Sequence, residues 1–173
     1  MNLLKNLFVF LLLVVFSSVS CNTQDKKNLD NRNNSKFEIM KSEEDWKSIL
    51  SPEEYKVLRN KGTEYPGTGE YNLFFEKGTY KCRACGNILF TSDAKFESHC
   101  GWPSFSDVVR TDAIKEIADS SLGMVRTEVV CAKCGGHLGH LFPDGPQPTG
   151  LRYCINSVSI NFSKSDTNSK ENK

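Results

Sequence analysis

The cysteines of this chain are the residues whose spacing most directly indicates chemistry. There are seven among 173 residues, and four of them form two Cys-x-x-Cys pairs, Cys82 with Cys85 and Cys131 with Cys134. This spacing lets one tight turn direct both sulfurs at a single ion, and four thiolates complete a tetrahedral zinc site. Because such a site has no open coordination position, the sequence predicts a structural metal and places catalysis elsewhere.

A glycine follows each pair, at Gly86 and Gly135, where a positive φ would let backbone amides turn towards the sulfurs. Cys-x-x-Cys also occurs as a thioredoxin-like redox pair, but that motif opens a helix in a βαβ unit, and no such pattern surrounds these cysteines. Iron binds four thiolates too, although zinc is the commoner ion in a closed site. The pairs are far apart in the sequence, so we expect the metal to join two distant hairpins.

Cys154 is the best candidate for a nucleophile among the remaining cysteines. It lies in the segment Arg-Tyr-Cys-Ile-Asn, and if this segment is a strand, Arg152, Cys154 and Asn156 share one face. A neighbouring cation favours the thiolate, which is the nucleophilic form. The alternative is a buried cysteine that packs as a small hydrophobic residue, but its two polar neighbours argue against a purely apolar environment.

Two of the three histidines, His137 and His140, lie in the segment Gly-His-Leu-Gly-His. Such a pair can bind a metal, but the cysteines already complete one site and no carboxylate nearby in the sequence completes a second. We therefore interpret both histidines as proton donors near the nucleophile.

Cys100 lies in a segment whose Gly and Pro residues predict a loop. A cysteine in a loop can move towards a partner thiol, as a resolving cysteine must. Trp102, which follows closely, is either a core residue or part of the wall of a small apolar pocket.

Two short helices are predicted at the start of the folded domain. Ser42 caps the first, whose buried side is formed by Trp46, Ile49 and Leu50. The second begins with Ser-Pro-Glu-Glu at residues 51–54, in which Ser51 is the N-cap and Glu54 completes a capping box. Gly62 is predicted to end it.

After Gly69 the chain consists of short β-type segments separated by Gly, Pro and Asp. The clearest are residues 71–75, 88–90, 124–130 and 153–162. No crossover helix of useful length separates them. We therefore predict a mainly β (α+β) fold of curved antiparallel sheets, with the short N-terminal helices packed against them.

Residues 1–20 have the pattern of an export signal of the lipoprotein type. Lys5 is followed by an apolar run over residues 7–16, which is too short to span a bilayer comfortably. Small residues then lead directly to Cys21, as in a bacterial lipobox, so we expect Cys21 to be lipidated. Cleavage without lipidation and an uncleaved anchor are the alternatives.

The composition divides the rest of the chain into three parts. Residues 21–36 are almost entirely polar after the cysteine and predict a flexible tether, residues 37–163 form the folded domain, and residues 164–173 form a disordered tail.

The net charge of +1, from 22 basic and 21 acidic residues, gives no indication of nucleic-acid binding. Two other functional classes compete with an enzyme that uses Cys154. One is a zinc-ribbon-like binding module, which the lack of an aromatic and basic stripe disfavours. The other is a general disulfide oxidoreductase, which the lack of a βαβ pattern disfavours.

Six segments together resemble the B-type peptide-methionine sulfoxide reductases, which act on the R epimer of methionine sulfoxide. They are LSPEEY at 50–55, GTGEY at 67–71, GWPSF at 101–105, GMVRTEV at 123–129, GHLGH at 136–140 and GLRYCINS at 150–157. The resemblance runs from about residue 50 to residue 162 and includes both cysteine pairs. It implies a β-tent-like antiparallel fold, one structural Zn²⁺ and turnover that depends on thioredoxin.

The resemblance also implies roles for the two spare cysteines. Cys154 would attack the sulfoxide and become a sulfenic acid, and Cys100 would resolve it as a disulfide that a thioredoxin-like donor reduces. One departure is His99, where we expect glycine in many members of the family.

Five further residues receive roles by resemblance. Trp102 would contact the substrate methyl group. His137, His140 and Asn156 would polarise or protonate the sulfoxide oxygen, and Arg152 would help to form the thiolate. The expected partners are oxidised proteins, a thioredoxin-like reductant and, through the lipid anchor, a bacterial envelope membrane facing the periplasm. We expect a monomer that binds no nucleic acid.

Overall fold

Two short helices begin the described part of the chain, which in this computed structural model covers residues 37–165. Helix α1 spans Glu43–Ile49 and helix α2 spans Pro52–Leu58. Each starts with a capping box, as the sequence predicts for the second: Ser42 pairs with Asp45 and Ser51 with Glu54. A capping box satisfies two of the amide groups that a helix leaves unpaired at its start, so helices this short can begin at defined residues.

The sequence prediction was wrong about two details of these helices. Ile49 is 53% exposed, whereas Trp46 of the same helix is only 1% exposed. Helix α2 ends at Leu58, before Gly62, because Lys61 already adopts a left-handed φ of 55°. Gly62 still serves the helix end, since its amide donates to the Lys56 carbonyl and a Cβ there would lie 2.8 Å from that oxygen.

Nine strands follow within the described residues, and every strand pairing among them is antiparallel. The strands are β1 Gly78–Cys82, β2 Ile88–Thr91, β3 Lys95–Phe96, β4 Ser104–Phe105, β5 Ile114–Asp119, β6 Arg126–Cys131, β7 His137–Phe142, β8 Arg152–Ile155 and β9 Ile160–Lys164. They form a three-stranded sheet of order β2-β1-β9 and a six-stranded sheet of order β3-β4-β8-β7-β6-β5. The mainly β fold with short N-terminal helices is thereby confirmed.

Several strand predictions need correction. Residues 71–75 form a turn and an irregular segment. Tyr71 is buried there because its ring packs against the ring of Phe74. Residues 153–162 are two strands separated by the 3-10 helix Ser157–Ser159. The segment around Ser104, expected to be loop, contains strand β4. The last strand runs to Lys164, which pairs with Gly78, so the sheet extends just past residue 163.

Aromatic rings from the two sheets meet in the core. Tyr80 of β1 lies edge-on to Phe105 of β4, with ring centroids 4.9 Å apart. Phe90 of β2 stacks on the same Phe105 ring at 4.4 Å, and it also contacts Tyr153 of β8. Such pairs contribute about 0.5–1.5 kcal/mol each beyond the area that they bury. These contacts fix the positions of β4, which follows the loop that carries Cys100, and of β8, which contains Cys154.

The strand register places a row of side chains across the larger sheet. Cys154 lies opposite Ser104 on one side and opposite His140 on the other, and His140 lies opposite Glu128. Residues directly opposite one another in an antiparallel pair share a face of the sheet. A close approach of β7 to β8 beside this row requires Gly139, because a Cβ there would overlap the Cys154 carbonyl oxygen.

The predicted signal, Cys21, the tether over residues 21–36 and most of the predicted tail lie outside the described residues. Among residues 37–165, no helix has the length and apolar character that a membrane crossing requires.

Candidate active site and metal site

The four cysteines of the Cys-x-x-Cys pairs come together where the two sheets meet. Cys82 ends β1 and Cys131 ends β6, and Cys85 and Cys134 lie in the turns that follow these strands. All four sulfurs lie within 4.8 Å of one another, and the Cys82–Cys134 and Cys85–Cys131 pairs are 3.7 and 3.6 Å apart. A tetrahedron with metal–sulfur bonds of about 2.3 Å has edges of about 3.8 Å. The cluster therefore has the donor set and the dimensions to hold one metal ion.

The two turns have the same construction. Gly86 donates its amide to the Cys82 carbonyl, Gly135 donates to Cys131, and both glycines have φ values near 70°, at 73° and 71°. These are the positive φ angles that the sequence predicts. A Cβ on Gly135 would also lie 2.6 Å from the Phe37 ring, which covers this turn. Asn87, which sequence reasoning missed, donates to Cys131 Sγ and to a backbone carbonyl, so it orients the sulfur from outside the cluster.

The two spare cysteines lie side by side, as the sequence predicts for a nucleophile and a resolving thiol. Cys100 Sγ and Cys154 Sγ are 3.7 Å apart, and both are free thiols. A disulfide has a sulfur–sulfur length of about 2.05 Å, so once either sulfur has been oxidised, a small shift of the loop that carries Cys100 brings the two sulfurs to bonding distance. His99 in this loop has a left-handed φ of 58°, a region that favours glycine, and its exposed ring lies 3.3 Å from Glu97.

A pocket of about 150 Å³ opens beside Cys154. Its lining includes Trp102, Arg126, His140, Phe142, Cys154 and Asn156. Two aromatic rings thus face a thiol, an imidazole and an amide, a combination suited to a small ligand with an apolar end and a polar oxygen. Four of the seven residues predicted to act in the reaction share this pocket, whereas Cys100, His137 and Arg152 are not part of its lining.

Each histidine is paired with a carboxylate from a neighbouring strand. His140 Nε2 lies 2.8 Å from Asp119 Oδ2, and Asp119 also accepts from Arg126. His137 is buried, and its Nδ1 lies 2.8 Å from Glu128 Oε1. Sequence reasoning missed both carboxylates, since they come from β5 and β6 and no local pattern links them to β7.

The electrostatics of the two histidine pairs favour a neutral His140. Burial lowers the pKa of His140 more strongly than Asp119 raises it. Hydrogen bonds from Ser121 and then from His140 hold the pKa of the Asp119 carboxyl well below its usual range. An ionised Asp119 accepts the Nε2 proton of His140, which leaves Nδ1 as the basic nitrogen of this ring.

Cys154 is held as a thiol in this state. Burial, and after it the neighbouring Cys100, raise the pKa of Cys154 to about 12, and Arg152 lowers it only in part. The guanidinium of Arg152 is bound by both oxygens of Asp144, at 2.8 and 3.0 Å, and it lies over the Phe142 ring. Arg152 therefore acts in the direction expected from the sequence, but its charge is shared with a carboxylate.

Glu64 organises the other side of the pocket. Its carbonyl accepts from Trp102 Nε1 at 3.2 Å, and its amide donates to Asn156 Oδ1 at 3.1 Å. Its buried carboxylate accepts from the amides of Ser157 and Val158 at the start of the 3-10 helix. Asn156 also donates one N–H to the Leu138 carbonyl, so its second N–H is available to the pocket. No sequence pattern distinguishes Glu64, which lies in an irregular loop.

Comparison with known proteins identifies the family. Residues 50–164 match the SelR domain. A protein of Methanosarcina mazei named peptide methionine sulfoxide reductase MsrB is 60% identical over 135 residues, which cover 77% of this chain and 95% of that protein. Proteins of the same name from Leptospira interrogans and Bradyrhizobium diazoefficiens are 58% and 60% identical, over 74% and 70% of this chain and 98% and 88% of their own lengths. The chain belongs to the SelR domain family, that of the MsrB proteins.

The pairing of His140 with Asp119 leads to a testable electrostatic prediction. We expect Asp119→Asn to lower the pKa of His140 further, because the substitution removes a negative charge that raises this pKa while burial and Arg126 continue to lower it. NMR titration of the His140 ring measures the change. Asp112→Asn is the matched control, since that carboxylate is exposed and pairs with Arg110. An unchanged His140 titration in Asp119→Asn would contradict the assigned pairing.

Proposed function

We propose that this chain reduces methionine-R-sulfoxide in oxidised proteins to methionine, with Cys154 as the nucleophile. The observation that carries the proposal is the pair of free thiols, 3.7 Å apart, of which Cys154 lines a pocket together with Trp102, Phe142, His140 and Asn156. Membership of a family whose relatives are named peptide methionine sulfoxide reductases supports the same reaction class. The R epimer and the protein-bound substrate follow from this family membership.

In the first step the Cys154 sulfur attacks the sulfur of the sulfoxide. Its proton must leave, because a thiol with a pKa of about 12 is not ionised at neutral pH. His140 lies opposite Cys154 in the register and has a free basic nitrogen, so it accepts this proton and passes it to the sulfoxide oxygen. Transfer of the oxygen from the sulfoxide sulfur to the Cys154 sulfur then gives methionine and a sulfenic acid on Cys154.

The remaining pocket residues position the substrate. Asn156 offers one N–H to the sulfoxide oxygen, and the ring faces of Trp102 and Phe142 provide an apolar wall for the substrate methyl group. His137 stands behind His140, with ring centroids 5.5 Å apart, and supports its orientation. Arg152, held by Asp144, supplies the positive charge that stabilises negative charge on the sulfur during attack.

In the second step Cys100 condenses with the sulfenic acid. A disulfide between Cys100 and Cys154 forms with loss of water, and a dithiol donor of the thioredoxin type reduces it by exchange. The distance of 3.7 Å between the two sulfurs supports this pairing.

Two cysteine variants test the proposal. We expect Cys154→Ser to lose all reduction of methionine-R-sulfoxide, because a hydroxyl is far less nucleophilic than a thiolate. Cys100→Ser should still form one methionine per enzyme in a single turnover, while thioredoxin-driven turnover falls at least about tenfold. Methionine formation is measured with thioredoxin and, separately, with dithiothreitol, which can reduce a sulfenic acid directly. Turnover by Cys154→Ser, or full thioredoxin-driven turnover by Cys100→Ser, would reassign these roles.

We also propose that the four-cysteine cluster holds one structural zinc ion, bound by Cys82, Cys85, Cys131 and Cys134. Four thiolates fill the coordination sphere, so the ion would contribute no catalytic chemistry and would act only by joining the two sheets. The sulfur separations of 3.6 and 3.7 Å support a tetrahedral ion of this size.

For the zinc proposal we expect Cys85→Ser to lose both the metal and the fold. Apparent zinc binding energies of about 10–16 kcal/mol in small peptides are also folding energies. Elemental analysis and circular dichroism measure the two losses, and Cys100→Ser is the control that should keep one zinc per chain. A folded, active protein that carries no metal would exclude the proposal.

We further propose that Cys21 is lipidated after cleavage of residues 1–20, so that the enzyme is attached to a bacterial envelope membrane and faces the periplasm. Acylation at one cysteine supplies the two-chain hydrophobic anchor that stable attachment requires. The periplasm is oxidising, so the Cys100–Cys154 disulfide would need a thioredoxin-like donor in that compartment.

Cell fractionation tests the anchor. We expect the wild-type protein and the Cys154→Ser control in the membrane fraction, and Cys21→Ala in the soluble fraction, because only the last variant lacks the acylated sulfur. Identical partitioning of Cys21→Ala and wild type would rule out lipidation and leave the catalytic roles untouched.

A further inference from the structure

Two serine hydroxyls surround the sulfur of Cys100, away from the substrate pocket. Ser98 Oγ donates to Cys100 Sγ at 3.0 Å, and it lies 2.7 Å from Ser104 Oγ. Ser104 is fully buried in β4, opposite Cys154, and its hydroxyl is 3.6 Å from Cys100 Sγ. Neither serine lines the pocket beside Cys154.

This arrangement is compatible with either protonation state of Cys100. As a thiol, Cys100 can donate to the Trp102 carbonyl, 3.5 Å away. As a thiolate, it can accept from Ser98, whose own oxygen is then supported by Ser104. A hydrogen bond to a charged acceptor is stronger than one to a neutral acceptor, so the serine pair favours the thiolate.

Together these contacts favour ionisation of the Cys100 thiol. Burial raises the pKa of the Cys100 thiol, but hydrogen bonds first from Ser98 and then from Ser104 are the largest of the contributions that bring this pKa below its ordinary value. The other titratable or charged groups that face or flank Cys100 are Cys154 and Arg152 of β8 and, in its own loop, Glu97 and His99. Cys154, in contrast, has a raised pKa, so the thiol that ionises first is Cys100.

We propose that Ser98 is a positioning residue for the resolving step, in which its hydroxyl holds the Cys100 thiolate ready to attack oxidised Cys154. The inference rests on the proposed function and concerns only its second step. The Cys100 sulfur attacks the Cys154 sulfur, the new sulfur–sulfur bond forms and the sulfur–oxygen bond breaks. The leaving hydroxide takes one proton and departs as water, with no further oxidant or reductant. The first step does not involve Ser98.

The size of the effect follows from two opposing consequences of losing the hydroxyl. Loss of one hydrogen bond to the thiolate lowers the ionised fraction of Cys100 about tenfold at neutral pH. The less stabilised thiolate is about threefold more nucleophilic, given a Brønsted coefficient near 0.5. We therefore expect disulfide formation to slow about threefold at neutral pH. At alkaline pH, where Cys100 is ionised in both proteins, only the difference in nucleophilicity remains, and the variant should form the disulfide about threefold faster than the wild type.

The test follows a single turnover of the full-length protein with a peptide that contains methionine-R-sulfoxide, without reductant. Released methionine reports the first step, and the loss of titratable thiols reports disulfide formation. Ser98→Thr and Ser98→Val are a matched pair, since they have the same shape and differ by the hydroxyl. Ser106→Ala, which removes a nearby hydroxyl that donates to the Ala94 carbonyl, serves as the control.

We expect all variants to release the first methionine at the wild-type rate. Ser98→Val should form the disulfide about threefold more slowly than Ser98→Thr at pH 7, with the rise of its rate shifted to higher pH. Equal rates of disulfide formation in Ser98→Thr and Ser98→Val across the pH range would overturn the inference. So would a Ser98→Val defect in the first step. Failure of the wild type to release methionine would instead overturn the proposed function, and the inference with it.

Discussion

The four-cysteine cluster is the constraint on which the rest of the structure depends. It joins the turn between β1 and β2 of the smaller sheet to the turn between β6 and β7 of the larger one. The strands are short, from two to six residues each, so one junction between the sheets fixes many positions at once. The aromatic contacts of Phe105 complete the junction from inside the core. Once the two sheets are fixed, β8 and β4 hold Cys154 and the Cys100 loop in contact.

Burial of Cys154 disfavours its thiolate, and the neighbouring Arg152 partly offsets this effect. The sheet that aligns Cys154 with His140 also removes the thiol from water, which raises its pKa to about 12. Arg152 lowers that pKa only in part because Asp144 shares its charge. In the proposed reaction, a nucleophile in this environment needs its proton removed in the same step as it attacks. The neutral His140, in cross-strand register with Cys154, is the group proposed for that transfer.

The two thiols have different surroundings, which suit the different roles proposed for them. Cys154 lies in a strand among buried neighbours, whereas Cys100 lies in a loop where hydroxyls and a backbone group face its sulfur. The side chains of the pocket are likewise oriented by groups from elsewhere in the fold. Asp119 orients His140, and the backbone and carboxylate of Glu64 orient Trp102, Asn156 and the segment after β8.

The sequence alone determined the features that depend on local spacing: the two Cys-x-x-Cys turns, both helix caps and the family to which the matching segments belong. The strand prediction failed at residues 71–75, where Tyr71 is apolar because it packs in the core and not because it lies in a strand. Sequence reasoning also missed Asp119, Glu128 and Glu64. These residues act through partners on other strands or loops, and pairing between distant strands leaves no local pattern in a single sequence. Tertiary structure alone decided which carboxylate faces which histidine and which thiol ionises first, because both depend on register and burial.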